Sequence, residues 1–217
     1  PFQQDVAGGH AYVLLCAYRK FGDVRYLNHS KSAIEALLSQ KESRFYEALL
    51  PLGVYTAAYL NATEGANYDV QKLLNWVFDG WKSPTGRTGW GIIVGKWGDY
   101  DVSGLQGSIT DGGGYAFLMN SIKPAWPFIP MVKYQPQYAK AIGKWMLNNA
   151  SACRLFYPGE IDETHQWAPE LKDITYDNVS YEGLRKTDDY GKASLKGVSP
   201  VAIGDGPKWI KGNPTES

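Results

Sequence analysis

The chain has no excess of either charge. Its 217 residues carry 22 basic and 22 acidic side chains, for a net charge of zero. That balance argues against a nucleic-acid binder, whose affinity rests on surplus Lys and Arg. No run of like charges offers a tail to a membrane surface. Long apolar runs are also missing: the longest are broken by Gly, Pro or charge, so no segment is expected to span a bilayer. Cysteine is scarce. Cys16 and Cys153 fall in helix-like segments and read as buried thiols, with a disulfide left open. The chain contains no HExxH and no CxxC, which removes support for structural zinc. No G-x-S-x-G backs a serine triad built on His10 or His165. "GWGIIVGK" at 89–96 lacks the spacing of a phosphate loop. The sequence starts at Pro1, without Met or signal peptide, and is read as a processed chain or a piece of a longer one.

What is abundant is aromatic. There are 8 Trp and 15 Tyr, many set among glycines rather than in periodic segments. Rings in Gly-rich loops are not all core, and some should line a groove, where a flat ring offers area at low entropic cost. The length suits one good-sized domain.

Apolar periodicity predicts helices over about 9–20, 24–40, 45–60, 68–81, 113–122 and 136–156. Phe21-Gly22-Asp23 should stop the first, and Asp69 should cap the fourth. The segments resemble one another in pairs. "GGHAYVLLCAY" at 8–18 parallels "GGGYAFLMNSI" at 112–122, and "RYLNHSKSAIEALL" at 25–38 parallels "QYAKAIGKWMLNNA" at 137–150. The pattern predicts an all-α fold with three αα-hairpin repeats over 1–167, and a loop-rich tail over 168–217 packed on the same domain. Four N-x-S/T triplets, at Asn28, Asn61, Asn149 and Asn178, tilt the expectation toward a secreted glycoprotein.

Helical hairpins with long Gly/Trp/Asp-rich loops at one rim resemble the six-hairpin (α/α) toroid of many glycoside hydrolases and polysaccharide lyases. The likeness covers roughly residues 5–168 as architecture. "YEGLRK" at 181–186 and "SPVAIGDGP" at 199–207 also look like inter-hairpin segments of such proteins. Only three hairpins are visible, so the resemblance implies an incomplete toroid, completed by another chain or chain segment. It also implies a secreted protein acting on an oligosaccharide or polysaccharide.

Glycoside hydrolysis needs two carboxyl groups across the scissile bond. The rim loops offer Asp99, Asp101, Asp111, Glu160, Asp162 and Glu163. Trp90, Trp97 and Trp167 are candidate stacking platforms, and Arg87 and His165 could hold a uronate carboxylate. Asp111, like Asp5, also reads as a helix cap before glycines. A lyase is the alternative, with His10 or His165 and a tyrosine such as Tyr12 or Tyr115 moving the proton. A glycan-binding or structural extracellular protein would share the same composition. No cofactor is required, but "DYDVSG" places Asp99, Asp101 and Ser103 at the first positions of a calcium loop, whose twelfth position is Thr110 instead of Glu.

Overall fold

The computed structural model describes residues 5–43, 45, 48–80, 90–109, 114–157, 159–166 and 183–186. The chain divides into two compact units, Pro1–Ile92 with Lys123–Met146, and Ile93–Ile122 with Leu147–Ser217.

The first unit is mainly helical. Helix α1 (Val6–Phe21) ends where predicted: Gly22 takes φ 71°, and its N–H reaches the Tyr18 carbonyl. Asp23 then caps α2 (Val24–Leu38), accepting from the Arg25 N–H. Helix α3 (Leu49–Thr63) is buried along most of its length, and Asp69 caps α4 (Val70–Phe78) through the Lys72 N–H. These helices lie together because their contact faces are small. A Cβ on Gly8 would stand 2.7 Å from the Leu49 carbonyl oxygen, and one on Gly53 would stand 2.9 Å from the Gly8 Cα. Backbone therefore meets backbone where α1 crosses α3. Between α1 and α2, the buried Ser30 hydroxyl donates to the Ala11 carbonyl at 2.8 Å. Strand β1 (Trp90–Ile92) is buried and lies against α4.

The all-α expectation fails in the second unit. Within the stretch read as a rim loop, β2 (Lys96–Trp97) and β3 (Tyr100–Asp101) form an antiparallel ribbon. Strand β4 (Gln106–Ser108) pairs antiparallel with β5 (Tyr115–Phe117). The predicted helix over 113–122 is thus a strand followed by the short α5 (Leu118–Ile122). An apolar run this short does not distinguish strand from helix, and partners across the sheet decide it. Gly107 shows how close they come: a Cβ there would run into the Tyr115 carbonyl oxygen.

The elements differ from the expected ones at three more places. Helix α6 (Ala125–Met131) forms despite Pro127 and Pro130, in a stretch given no helix by periodicity. The helix predicted over 136–156 is α7 (Ala139–Cys153) between two 3-10 turns, Pro136–Tyr138 and Arg154–Phe156. Strand β6 (Leu184–Arg185), from the expected loop tail, pairs antiparallel with β5. Stacked hairpins of a toroid are therefore not the fold; short antiparallel strands stand where its later hairpins were expected. The remainder of the tail, including "SPVAIGDGP", lies outside the described residues.

The mixed unit has its own core. Trp97, Val102, Leu105, Ala116, Leu155, Phe156, Ile161 and Leu184 are all buried within one cluster. Asn149, 7 % exposed, donates its amide hydrogens to the carbonyls of Gly104 and Ser121, both at 2.8 Å. Both cysteines are free. Cys16 is exposed, contrary to the buried reading, because its position on α1 faces outward; Cys153 is half-buried, and burial pushes its thiol up to about 12.

Candidate functional site

Residues of the 99–101 and 162–165 stretches converge at the β2–β3 ribbon. Gly98 and Asp99 form its two-residue turn, with Gly98 at φ 56°. From the other side comes the 3-10 turn Glu163–His165, started by Asp162 in extended conformation. Residue Gln166 bridges to Leu184, which holds this turn beside β6.

His165 is fixed at one ring nitrogen. Its Nδ1 lies 2.9 Å from the Arg185 carbonyl oxygen. A carbonyl only accepts, so in the neutral ring Nδ1 carries the hydrogen and Nε2 keeps its lone pair. Gly98 packs against that free nitrogen: a Cβ at 98 would lie 3.0 Å from Nε2. Glycine is thus required twice, by its backbone conformation and by the imidazole.

Tyr100 joins the other two groups. Its hydroxyl donates to Asp162 Oδ2 at 2.9 Å and accepts from the Asp162 N–H at 3.3 Å. Its ring stands edge-on to the imidazole, with centroids 5.7 Å apart at 76°. The bond to Asp162, more than burial, raises the Tyr100 pKa, which keeps the phenol protonated at neutral pH. An imidazole nitrogen with an open lone pair and a protonated phenol, both half-buried, thus stand beside an exposed carboxylate, the equipment for paired base and acid work.

The other expected residues fare differently. Glu160 is exposed and ion-paired with Arg154 at 3.1 Å. Glu163 is exposed at the start of the 3-10 turn. Trp90 and Trp97 are 4 % and 2 % exposed, so neither is a stacking platform; both were drawn inward as the largest apolar groups of their strands. Tyr115 lies on β5, half-buried, with the Arg185 guanidinium 4.7 Å from its ring centre. His10 is exposed on α1, lining a shallow groove with His29. It does not pair with Tyr12: two residues along a helix face different ways, and Tyr12 packs on Tyr55 and Trp126. Asp111, Arg87, Trp167 and Asn178 lie outside the described residues.

The expected calcium loop closes on itself. Asp101 Oδ1 accepts from the Ser103 N–H at 2.9 Å, and the Ser103 hydroxyl accepts from the Gly95 N–H at 3.1 Å. The bond to Ser103 lowers the Asp101 pKa. Asp99 sits in the ribbon turn and is exposed. Among the described residues no group of three or more His, Cys, Asp or Glu could hold a metal ion. Of the sequons, Asn28 is exposed on α2. Asn61 is tied on both sides of its amide to the Tyr68 backbone, and Asn149 is buried, which leaves it no room for a glycan.

Sequence reasoning passed over Tyr100, although a signal for it was present. "WGDY" places Gly-Asp between two aromatics, the pattern of a two-residue hairpin turn. Reading it that way puts Tyr100 across from Trp97. Comparison with known proteins adds no relative: no family, no curated protein and no solved structure matches the chain. Among the described residues no helix is long and apolar enough to cross a membrane.

Proposed function

We propose that the protein is a secreted carbohydrate-active enzyme that cleaves a uronic-acid-containing glycan by β-elimination. The observation behind this reading is the arrangement of His165, held at Nδ1 with Nε2 free, beside Tyr100 bonded to Asp162. In the proposed step, Nε2 takes the proton next to the uronate carboxylate. That C–H pair becomes the new carbon–carbon double bond, and the bond to the leaving sugar oxygen breaks. The Tyr100 hydroxyl leaves Asp162 Oδ2 when substrate binds and gives its proton to that oxygen.

Elimination is preferred to hydrolysis because the group with an open lone pair beside Tyr100 is an imidazole, while the carboxylates nearby already hold other groups. Glu160 is paired with Arg154, Asp101 holds Ser103, and Asp162 accepts from Tyr100. Hydrolysis would need two of them free across a sugar bond. Secretion belongs to the same proposal, with Asn28 the sequon exposed for a glycan among the described residues.

The test is to incubate the protein with uronate polysaccharides and, separately, with neutral glucans and xylans. Ultraviolet absorbance reports an unsaturated product, and reducing ends report any cleavage. The expected result is an absorbing product from the uronate substrates alone, lowered about a hundredfold or more in His165→Ala and Tyr100→Phe. Reducing ends without absorbance would transfer the chemistry to hydrolysis and overturn the assignment of His165 as the base. Cleavage of nothing would leave a glycan-binding or structural protein.

A further inference from the structure

The helical unit contains a second feature that the proposed chemistry does not use. Trp126, on α6, is 65 % exposed, a large apolar ring left in solvent. A single exposed aromatic needs no explanation. This one borders a cavity of about 180 Å³, lined also by Tyr12, Leu52, Tyr55, Pro127 and Pro130.

The walls are ordered by ring contacts. Tyr12 stands edge-on to Trp126, with centroids 5.6 Å apart, and edge-on to Tyr55 at 5.9 Å. Tyr55 and Tyr59 both pack against Tyr134, at 6.1 and 5.3 Å. The two prolines of α6 stiffen the side that carries the indole. Burial, aided by the neighbouring Cys16 thiol, pushes Tyr12 up to about 12, so its hydroxyl remains a donor at neutral pH.

Two cations sit by the tyrosines that pack around Tyr55, outside the residues that line the cavity. The Arg19 guanidinium lies 5.3 Å over the Tyr59 ring, and the Lys133 ammonium lies 5.8 Å from the Tyr134 ring centre. Neither cation has a carboxylate partner among the described residues. An indole face for apolar C–H groups, phenols for hydroxyls and the Arg19 cation, whose charge acts on both Tyr12 and Tyr55, together match a sugar ring that carries an acid. The volume is below the roughly 300 Å³ of a drug-sized pocket, which suits one ring.

We propose that the Trp126–Tyr12–Tyr55 pocket is a second glycan-binding site, which stacks one uronate ring on Trp126 with its carboxylate toward Arg19. The choice of a sugar as occupant rests on the carbohydrate reading above. The proposal goes beyond that reading by placing recognition within the helical unit, apart from any chemistry at His165.

Binding is measured by titrating the full chain, as wild type and as His165→Ala, with galacturonate, glucuronate and mannuronate tetrasaccharides. Calorimetry gives the affinity, and cellotetraose and a proline-rich peptide serve as controls. Saturable binding of at least one uronate tetrasaccharide is expected in both forms. Trp126→Ala should weaken it about thirtyfold or more, as for loss of an aromatic anchor. Arg19→Gln should weaken it about tenfold, the worth of one charge-assisted contact. Circular dichroism of both variants should match wild type.

Uronate binding that survives Trp126→Ala unchanged would overturn the proposal. So would tighter binding of the peptide or of cellotetraose, or no binding by the correctly folded chain. Product formation by wild type alongside any of these would leave the elimination chemistry standing. Binding in His165→Ala alongside an inactive wild type would leave only the pocket.

Discussion

In the helical unit, α1 reaches α3 through bare backbone at Gly8 and Gly53. In the mixed unit, close approach is bridged by polar side chains as well. Asn149 spans to two carbonyls, and the Ser121 hydroxyl accepts from the Gln106 N–H at 2.9 Å. The reason is geometric. A helix satisfies its own backbone, so two helices need only small residues to pack. Strands of two or three residues leave backbone groups over, and side chains must take them. The difference also bears on the proposed chemistry. The imidazole, phenol and carboxylate gather on the unit where side chains already tie the backbone together.

The sharpest way to break this comparison is a methyl group. Gly107→Ala places a Cβ against the Tyr115 carbonyl and should cost about 3 kcal/mol or more, read as a lowered midpoint in denaturant. Gly8→Ala meets backbone at a longer distance and should cost less, about 1–3 kcal/mol. Equal losses at the two sites would mean that the mixed unit is no more tightly held than the helical one.

A second pair compares side-chain bridges. Asn149→Ala leaves the Gly104 and Ser121 carbonyls without their shared donor and should destabilise by about 2–4 kcal/mol. Ser30→Ala removes one buried bond between α1 and α2 and should cost about 1 kcal/mol. Thermal unfolding of the two variants, followed by circular dichroism, checks the order.

Alkaline titration separates the units by onset. Cys153 is raised from 9.0 to about 12 by burial, and Tyr12 and Tyr68 from 10.0 to about 12. For a group raised in the folded state, stability is complete below the unfolded pKa and lost as pH climbs through the folded one. Loss through Cys153 should therefore begin near pH 9, and loss through the tyrosines near pH 10. Cys153→Ala should abolish the earlier onset and leave the later one. Hydrogen exchange of the two units against pH would reveal an onset assigned to the wrong group.

The smallest effect expected is at a helix cap. Asp69→Ala should cost about 1 kcal/mol and loosen the first turn of α4. Exchange rates of the Lys72 amide would report it, and unchanged rates would mean that the helix is held by its apolar face alone.

Helices α1 to α4 were legible because each carries its own instructions: a stripe of apolar residues, a glycine stop at Gly22, and caps at Asp23 and Asp69. Their ends moved by only a few residues. The second half was misread where local signals conflict. Tyr115-Ala116-Phe117 is as apolar as the start of α1, and only its pairing with β4 and β6 makes it a strand. Trp90 and Trp97 look like groove aromatics because glycines surround them, yet both are buried.

At the candidate site, the 160–165 cluster was visible as composition: acids and a histidine in one short run. Which of them would act together was not visible, because Tyr100 lies 62 residues before Asp162. The sequence by itself determined the four leading helices, the neutral charge and the surplus of aromatic rings, since these depend on neighbours within a few turns of chain. Only the tertiary structure decided which aromatics face water, that residues 115–117 extend, and that His165 keeps one nitrogen free. Each of those depends on what residues far apart in sequence place against it, and local periodicity carries no record of such partners.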